Sequence, residues 1–514
     1  MSYKDRLSGL NRTPEHPVTE QIVTIFRDAI ASGELSADEK LPPTRALAEL
    51  ADVNHLTAAR AYRRLAELGL VNSRVGSGTF VRGTGAVARR SAREPARTDE
   101  ERRGSTAWQH FALPQLEGAY VDSILVDLFA GAEGRHDLIP LMTGYPSGRV
   151  FPAELLAELT DEAMSKHGPS AWQYAPADGV LAFREAIAEL GRADGLEDGP
   201  ERVVVTNGAR QALTLVARAV TRPGDVIACE SPSFAGVLRA IRSAGAEVLG
   251  VPVDDDGLDV DALEQLLARR EIRMLALQPR IQNPTGRDLS LERRERLAEL
   301  AVRHGFFVVE DAIYSPLRFE GVDHGALRPL APDHTIYIHS LSKVLSPGLR
   351  AGWVVASGPV LERIAQEKRT DDMTCATLPQ LVTAEFLTGG HYERQVAGAI
   401  ALHRTRHDAM AEAIDEHLSD LVEVVHRPLG GGHFWLRVRE SLDERLLYGE
   451  AVQHGVNFVP GGATMPGRGD GTLMRVSFSF LDPEELREGV RRLGAAIHSL
   501  ASSERPLRSS LPLA

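Results

Sequence analysis

The chain has few of the features that mark secreted, membrane or metal-binding proteins. Its 514 residues include only two cysteines, Cys229 and Cys375, which excludes a disulfide framework and favours a reducing compartment. No apolar run approaches the roughly 18 residues that a membrane helix needs, and the N terminus has no apolar signal core. The histidines show no metal-ligand spacing. These absences predict a cytoplasmic protein with no membrane partner and no metal site.

The chain also lacks the basic character of many nucleic-acid-binding proteins. It has 58 Lys and Arg against 71 Asp and Glu, a formal net charge of -13. Any contact with DNA must therefore come from a local basic patch and not from the overall field. The length and the 43% hydrophobic content allow two to four domains with buried cores.

The most informative motif follows an apolar strand that begins at residue 335. Ser340, Ser342 and Lys343 lie in the turn after this strand, and Arg350 comes shortly after. A lysine among hydroxyls and a fixed guanidinium suits an aldimine to an aldehyde cofactor with a dianionic phosphate, which is pyridoxal 5'-phosphate (PLP). Taken alone, however, Lys343 also fits a solvated surface lysine.

Two other predicted strand ends carry polar groups of the same kind. The strand Met274 to Leu277 leads to Asn283, and a strand from Phe306 to Glu310 delivers Asp311 and Tyr314. Open α/β sheets bind ligands at the carboxyl ends of their strands. The pattern therefore predicts one shared site at this edge of a sheet.

A further strand end predicts an anion site. The β-branched run from Val203 ends in Asn-Gly, and a helix begins near Ala209 and Arg210. A helix N terminus offers free N–H groups and a positive dipole end to a phosphate. We expect the phosphate there, with Ser340, Ser342 and Arg350 on the opposite side.

These motifs, in this order, resemble the fold-type I aminotransferases from about Leu138 to Ala501. The resemblance implies an α/β fold with a large mixed, mostly parallel sheet and a small α+β domain. It implies that Asp311 pairs with the pyridine nitrogen of PLP, and that Asn283 and Tyr314 hydrogen-bond the ring phenolate oxygen. Lys343 would hold the cofactor and then act as the general base.

The same resemblance implies roles for four more residues. Phe234 would stack on the pyridine ring, and Tyr174 would reach the phosphate of a neighbouring subunit, which predicts a homodimer. Ala175 stands where glycine is usual after that tyrosine. Arg475 would grip the α-carboxylate of an amino acid or oxo acid, with the backbone of Gly144 beside it.

The region 14–83 has a different pattern. Amphipathic periods from Val18 to Ile30, from Pro43 to Leu50 and from His55 to Leu68 predict three helices. A glycine-tipped hairpin from Leu70 to Val81 follows. Three helices and such a hairpin are typical of a winged helix-turn-helix.

This region resembles the GntR superfamily in its Leu-Pro-x-x-Arg, Ala-Tyr-x-x-Leu and Gly-Ser-Gly-Thr-Phe-Val segments. Asn54 and His55 stand where Ser and Arg are common. The basic residues also fit a solvated face, because acidic neighbours balance them. The resemblance implies that the DNA-contacting positions are Arg45, Asn54, His55, Thr57, Arg74, Gly76 and Thr79.

The composition divides the rest of the chain. Residues 84–107 are charged and lack a hydrophobic period, which predicts a flexible linker. We expect the aminotransferase-like PLP-binding domain over 108–501 and a mobile tail over 502–514.

A winged helix in front of an aminotransferase-like domain resembles the MocR-type regulators of the GntR superfamily. The resemblance implies a transcriptional regulator that binds operator DNA and senses PLP, an amino compound, or both, through an aldimine. The alternative is a working PLP-dependent aminotransferase that acts on an α-amino acid and a 2-oxo acid. Both readings use the same site residues, so enzymatic turnover stays open at this point.

Overall fold

The computed structural model describes residues 3–8, 10, 18–31, 34–36, 39–67, 70–74, 78–81, 137–467, 469 and 471–508. The chain divides into two units, Met1–Leu116 and Glu117–Ala514. The expected linker 84–107 and residues 108–136 of the expected second domain lie outside the described residues.

The first unit is built from short helices around one apolar core. Ile22, Phe26, Leu47 and Leu65 are fully buried in it, since the apolar periods of the helices face one another. The hairpin pairs Val71 with Val81 in antiparallel register. The elements are α1 Tyr3–Leu7, α2 Val18–Ala31, α3 Thr44–Leu50, α4 His55–Glu67, β1 Val71–Arg74 and β2 Gly78–Val81.

This arrangement confirms the predicted winged helix-turn-helix. Helix α1 was not predicted, because five residues are too few to show a helical period. Leu7 of α1 is nevertheless buried in the same core.

A mixed sheet of eight strands forms the centre of the second unit. Its order is β4-β11-β10-β9-β8-β5-β6-β7. The strands β10, β9, β8, β5 and β6 run parallel, whereas β11 and β7 are antiparallel to their neighbours. Every residue of β8 and of β10 is buried, as is usual for strands that helices cover on both faces. After β3 Ile139–Pro140, these strands are β4 Val203–Asn207, β5 Val226–Ser231, β6 Glu247–Asp254, β7 Gly257–Leu258, β8 Met274–Leu277, β9 Phe307–Asp311, β10 Thr335–Ser340 and β11 Ala351–Val355.

A smaller antiparallel sheet follows, with the order β12-β13-β16-β15. It consists of β12 Val422–His426, β13 His433–Val438, β15 Val459–Pro460 and β16 Leu473–Ser477, while β14 Val456–Asn457 pairs with β3 in parallel. The helices of this unit are Ala153–His167, Leu181–Gly191, Ala209–Val220, Ala235–Ser243, Val260–Leu267, Leu291–His304, Pro359–Asp371, Thr377–Thr388, Tyr392–His417, Glu444–Gln453 and Pro483–Arg508. The large mixed sheet and the small α+β part confirm the predicted fold.

The last helix overlaps the predicted tail. The sequence places a mobile tail at 502–514, but the helix Pro483–Arg508 continues through Arg508. Leu493 and Ile497 anchor this helix in the core, and each residue added to an anchored helix gains a hydrogen bond at little cost. Residues 509–514 lie outside the described residues.

The register of the parallel strands brings the predicted site residues to one edge. Ile338 of β10 lies opposite Asp311 at the end of β9, and Leu277 at the end of β8 lies opposite Glu310. On the other side, a Cβ at Gly352 of β11 would lie 2.5 Å from the Cα of Gly208. Only glycine therefore allows β11 to lie this close to the turn before the helix Ala209–Val220.

Asn54 has a structural role that can be tested. Its Oδ1 accepts hydrogen bonds from Thr57 N at 2.7 Å and Thr57 Oγ1 at 2.9 Å, so Asn54 caps the N terminus of α4. We expect Asn54→Ala to cost about 1 kcal/mol of α4 stability, because the Thr57 amide loses its acceptor. Hydrogen exchange followed by mass spectrometry should show faster exchange in the first turn of α4. Asn54→Asp, which retains a capping oxygen, should exchange like the parent chain, and equal exchange in all three proteins would contradict this role.

Candidate cofactor and ligand site

Lys343 lies in the turn after β10 and is half-buried. Its Nζ donates a hydrogen bond to the carbonyl oxygen of Gly144 at 2.5 Å and lies 5.5 Å from the ring centroid of Tyr314. Burial, helped by the charge of Arg475, lowers the pKa of Lys343 from 10.5 to about 8. At pH 7 roughly a tenth of this amine is therefore neutral and nucleophilic, far more than of an ordinary lysine.

Asp311 ends β9 as a buried carboxylate. Its Oδ2 accepts a hydrogen bond from Gln278 Nε2 at 3.0 Å, and its Oδ1 accepts one from Ile313 N at 3.2 Å. Burial raises the pKa of Asp311 to about 6. A ring N–H cation against this carboxylate would offset the cost of burying it.

Gln278 orients Asp311, but it was not selected from the sequence as a site residue. It comes directly after β8, and its Oε1 also accepts a hydrogen bond from Asn283 N at 2.9 Å. The rule that ligand groups follow strand ends, which selected Asn283, would have selected Gln278 as well.

Arg350 lies against the start of the helix Ala209–Val220. Its Nη2 donates a hydrogen bond to Asn207 O at 2.5 Å, and a Cβ at Gly208 would lie 2.7 Å from the same nitrogen. The guanidinium therefore stands beside the free N–H groups of a helix N terminus.

Arg210, in the first turn of that helix, adds positive charge to the same place. Burial and the neighbouring charges of Arg239 and Arg350 lower the pKa of Arg210. Like charges gathered at a helix N terminus repel one another, and a dianionic phosphate would offset that repulsion.

The two predicted hydroxyls have different hydrogen bonds. Ser340 is buried, and its Oγ donates to Ala351 O at 2.8 Å and lies 2.9 Å from Ser342 Oγ. Because the single Ser340 proton is used on the carbonyl, Ser342 donates the hydrogen bond between the two hydroxyls, and it would have to turn its proton away from Ser340 to reach a phosphate. Ser340 then fixes the position of Ser342.

Arg475 reaches the site from β16 of the small sheet and is buried. Its Nη1 donates to Asn283 Oδ1 at 3.1 Å and its Nη2 to Met142 O at 3.0 Å. Its Nε has no hydrogen-bond partner. A Cβ at Gly144 would lie 3.5 Å from Nη2. The structure thus brings Arg475, Gly144, Asn283 and Lys343 together.

His433, the first residue of β13, is a site residue to which no sequence pattern assigned a role. Its Nε2 lies 2.9 Å from the hydroxyl of Tyr314, and its Nδ1 is buried without a hydrogen-bond partner. Burial, together with the charges of Arg475 and Lys343, holds the pKa of His433 well below its ordinary value. The imidazole is therefore neutral, and Tyr314 has a protein partner for the hydroxyl that we expected on the cofactor.

The roles expected for two further residues at the cofactor stay predictions. Phe234 is half-buried just before the helix Ala235–Ser243, with its ring against Gly236, where a Cβ would lie 2.3 Å from a ring carbon. Tyr174 is 80% exposed.

The predicted DNA-contacting residues differ in exposure. Arg45, Asn54 and His55 are exposed, and Thr57 and Thr79 are half-buried. The side chain of Arg74 and the whole of Gly76 lie outside the described residues. The DNA contacts stay predictions.

In the part of the chain that the structure describes, no group of three or more His, Cys, Asp or Glu side chains could hold a metal ion. None of the described helices has both the length and the apolar character that crossing a membrane would require.

The charge pattern of the site fits PLP. A buried carboxylate, Asp311, is suited to a protonated ring nitrogen, and the guanidiniums of Arg210 and Arg350 at a helix N terminus are suited to a phosphate. Between them, Lys343 provides an amine of lowered pKa for an aldehyde.

Comparison with known proteins decides the family. Residues 136–493 match the family model described as aminotransferase class I and II. The chain belongs to this family. Residues 18–81 match the model for bacterial regulatory proteins of the gntR family. Both halves of the resemblance read from the sequence are therefore confirmed.

Individual relatives match either one module or nearly the whole chain. A 2-aminoadipate transaminase of Thermus thermophilus is 35% identical over 370 residues, covering 71% of this chain and 91% of the relative. The probable rhizopine catabolism regulatory protein MocR of Rhizobium meliloti is 28% identical over 496 residues, covering 96% of each chain. The uncharacterized HTH-type transcriptional regulator YdfD of Bacillus subtilis is 29% identical, covering 95% of this chain and 97% of the relative.

Solved structures match this aminotransferase family member in fold. The crystal structure of LysN, an α-aminoadipate aminotransferase from Thermus thermophilus complexed with N-(5'-phosphopyridoxyl)-L-leucine, has a TM-score of 0.70 at 34% identity. It covers 77% of this chain and 100% of LysN.

The lowered pKa of Lys343 predicts its reactivity. In the PLP-free protein, labelling of Lys343 by an amine-specific reagent should rise with pH to a midpoint near 8, because only the neutral amine reacts. Arg475→Gln removes a neighbouring positive charge and should move the midpoint to higher pH. Peptide mass spectrometry gives the labelled fraction at each pH.

Lys166 is the internal control for this titration. It is exposed, and its hydrogen bond with Glu385 raises its pKa, so it should be labelled only at higher pH and should not respond to Arg475→Gln. Equal midpoints for Lys343 and Lys166 would contradict the site electrostatics.

Proposed function

We propose that this chain is a PLP-dependent, DNA-binding transcriptional regulator of the MocR type. The observation that carries the proposal is the union of two modules in one chain, a gntR-family module over 18–81 and a class I and II aminotransferase module over 136–493. Relatives named as regulators match over 95% and 96% of this chain. Such a protein would work in the cytoplasm, where operator DNA lies.

In this proposal the site residues bind and orient the ligand. PLP, when bound, supplies an aldehyde and an electron-withdrawing ring. Lys343 would attach it, Asp311 would hold the ring nitrogen, and Arg350 with Arg210 would hold the phosphate. Arg475 would bind the carboxylate of an amino-acid-like effector, since its planar guanidinium matches that group.

The position of Arg475 suggests how a ligand is sensed. Arg475 belongs to the small sheet, whereas its partner Asn283 follows β8 of the large sheet. A carboxylate bound between them would contact groups from both sheets. Such a contact would favour one arrangement of the two sheets within the second unit. An effector shifts an equilibrium only through different affinities for the two states, and this junction between the sheets would provide such a difference.

We also propose that the chain works as a homodimer. Tyr174 and Trp172 are 80% and 70% exposed, and large aromatic side chains exposed side by side are typical of protein interfaces. This supports the expectation that Tyr174 reaches the phosphate of a second subunit. A two-fold dimer would present two winged helices to two half-sites of an operator.

The second candidate function is an aminotransferase acting on an α-amino acid and a 2-oxo acid. The observation that favours it is the lowered pKa of Lys343, which lets this amine lose its proton near the charge of Arg475. Asp311 also lies at the strand end where a ring nitrogen would need a carboxylate. A relative that is 35% identical is named a transaminase.

DNA binding tests the regulator directly. Arg45→Ala should weaken binding to a fragment from the preferred genomic site by roughly 1 to 3 kcal/mol, because an exposed guanidinium at the start of α3 is lost. If the contact is to phosphate, the salt dependence should become shallower by about one counterion. Fluorescence anisotropy at several salt concentrations measures both.

Arg27→Ala is the matched control for Arg45→Ala. Arg27 is an exposed arginine of α2, in the same unit, next to Asp28, and it lies outside the proposed DNA-contacting set. Both variants should retain the visible absorbance of the PLP-loaded protein. Equal DNA affinity for the two variants would remove the DNA-contact assignment.

The effector response separates the two candidate functions. If the chain is a regulator, PLP should change operator affinity in the parent chain but not in Lys343→Ala, which should also lose the adduct that borohydride traps. Arg475→Ala should blunt the response to amino compounds while the PLP adduct survives. Anisotropy titrations with and without each ligand give these shifts. Many cycles of amino transfer to a 2-oxo acid, with no preferred DNA site recovered by genomic selection, would instead support the enzyme.

A further inference from the structure

The second unit contains a second cavity on the other face of the large sheet. The cavity measures about 320 Å³ and is lined by Tyr337 and His339 of β10 and by Trp353 and Val355 of β11. The side chains that alternate with them, such as Ile338, pack on the opposite face with the helix Ala209–Val220. Hence the cavity and the phosphate end of the Lys343 site are on opposite faces, and none of the proposed cofactor residues lines the cavity.

Flat rings and aliphatic side chains form most of the cavity wall. His339 stacks on Trp353 with ring centroids 4.9 Å apart and an interplanar angle of 19°, and on Tyr337 at 6.1 Å and 14°. These three rings are almost fully buried and hold one another in place. The aliphatic part includes Ile187, Leu190, Leu196, Val203, Val355 and Val396. A surface of this kind suits an apolar, planar ligand body.

The polar part of the wall is mainly acidic. Asp194, Asp198 and Asp323 line the cavity, against one guanidinium, that of Arg318. Arg318 is already paired with Asp288 at 2.7 Å. His339 adds no positive charge, because burial lowers its pKa to about 4.

The three carboxylates differ in how well they are paired. Asp194 accepts hydrogen bonds from Arg280 at 2.8 and 2.9 Å, and Asp198 accepts two from Arg328 at 2.6 Å. Asp323 accepts one backbone hydrogen bond, from Gly325 N at 2.9 Å, and its ion pair with Arg280 Nη1 is longer, at 3.6 Å; its side chain is 39% exposed. Asp323 is therefore the carboxylate most able to take a further cation.

We propose that this cavity is a second ligand site, which takes a small aromatic amine in its protonated form. The aromatic ring would lie among the buried rings and aliphatic side chains, and the ammonium would lie at Asp323. The volume is at the lower end of the range for ligand pockets, so a single-ring ligand fits. Because β10 contributes His339 to this cavity and Ser340 to the Lys343 site, one strand serves both. The proposal stands independently of the regulator assignment.

The test uses N,N-dimethylbenzylamine and the PLP-loaded full-length chain. This tertiary amine carries one ring and a positive charge and cannot condense with an aldehyde, so it cannot react with the PLP. Isothermal titration calorimetry should show saturable binding of this amine. Phenylacetate, an anion of similar size, should not bind at the same concentrations.

Two variants place the binding in the cavity. Asp323→Asn keeps the Oδ1 that accepts the hydrogen bond from Gly325 N at 2.9 Å and removes only the charge. It should weaken amine binding roughly threefold to fivefold, as expected for a partly exposed ion pair. Asp333→Asn removes the same charge at an exposed position outside the cavity and should have no effect. Ala188→Leu adds volume at a cavity-lining position and should weaken binding without changing the visible absorbance of the PLP-loaded protein.

Several outcomes would overturn the proposal. The amine shows no saturable binding, phenylacetate binds equally well, or Asp323→Asn binds the amine with the affinity of the parent chain; any one of these results contradicts the proposal. If Ala188→Leu does not fold, the comparison of Asp323→Asn with Asp333→Asn still decides the question.

Discussion

The burial of charged groups at the carboxyl edge of the large sheet is the constraint on which the site depends. Burial lowers the pKa of Lys343 to about 8 and raises that of Asp311 to about 6, so the same desolvation disfavours both charged forms. Arg475 is buried as well, with an unpartnered Nε. Uncompensated buried charges are costly. A ligand with a ring cation, an aldehyde and carboxylate or phosphate anions would remove much of that cost, which explains why one edge of one sheet collects these groups.

A site of this kind links ligand binding to the arrangement of the second unit. Lys343 belongs to the large sheet and Arg475 to the small sheet, and both contact the segment that contains Met142 and Gly144. A ligand that binds one arrangement of these elements more tightly stabilises it by mass action. In the proposed regulator, this property matters more than chemical turnover, because a signal requires only that two arrangements differ in affinity for the ligand.

Much of this site could be predicted because its residues follow buried strands. The apolar runs before Asn283 and Asp311 fix where each strand ends, and parallel strands end at the same edge. What could not be predicted depends on contacts between distant segments. Arg475 meets Asn283 across 192 positions, and His433 meets Tyr314 across 119. No local period encodes how the small sheet docks, so only the family resemblance pointed to Arg475, and His433 was missed. The last helix runs past the predicted boundary at 501 for a related reason, because its tertiary anchoring is not encoded in a local period.

The charge of the chain limits how the proposed regulator can hold DNA. With a formal net charge of -13, the overall field repels a phosphate backbone, and a single winged helix has only a local patch with which to oppose it. Two winged helices held at the spacing of two half-sites gain from effective concentration, since the second contact becomes intramolecular. That gain is lost when the spacing is wrong. In the proposed regulator, a modest rearrangement of the second unit would then change operator affinity strongly without altering any DNA-contacting residue. A ligand that binds only the second unit could act on the DNA through that change of spacing.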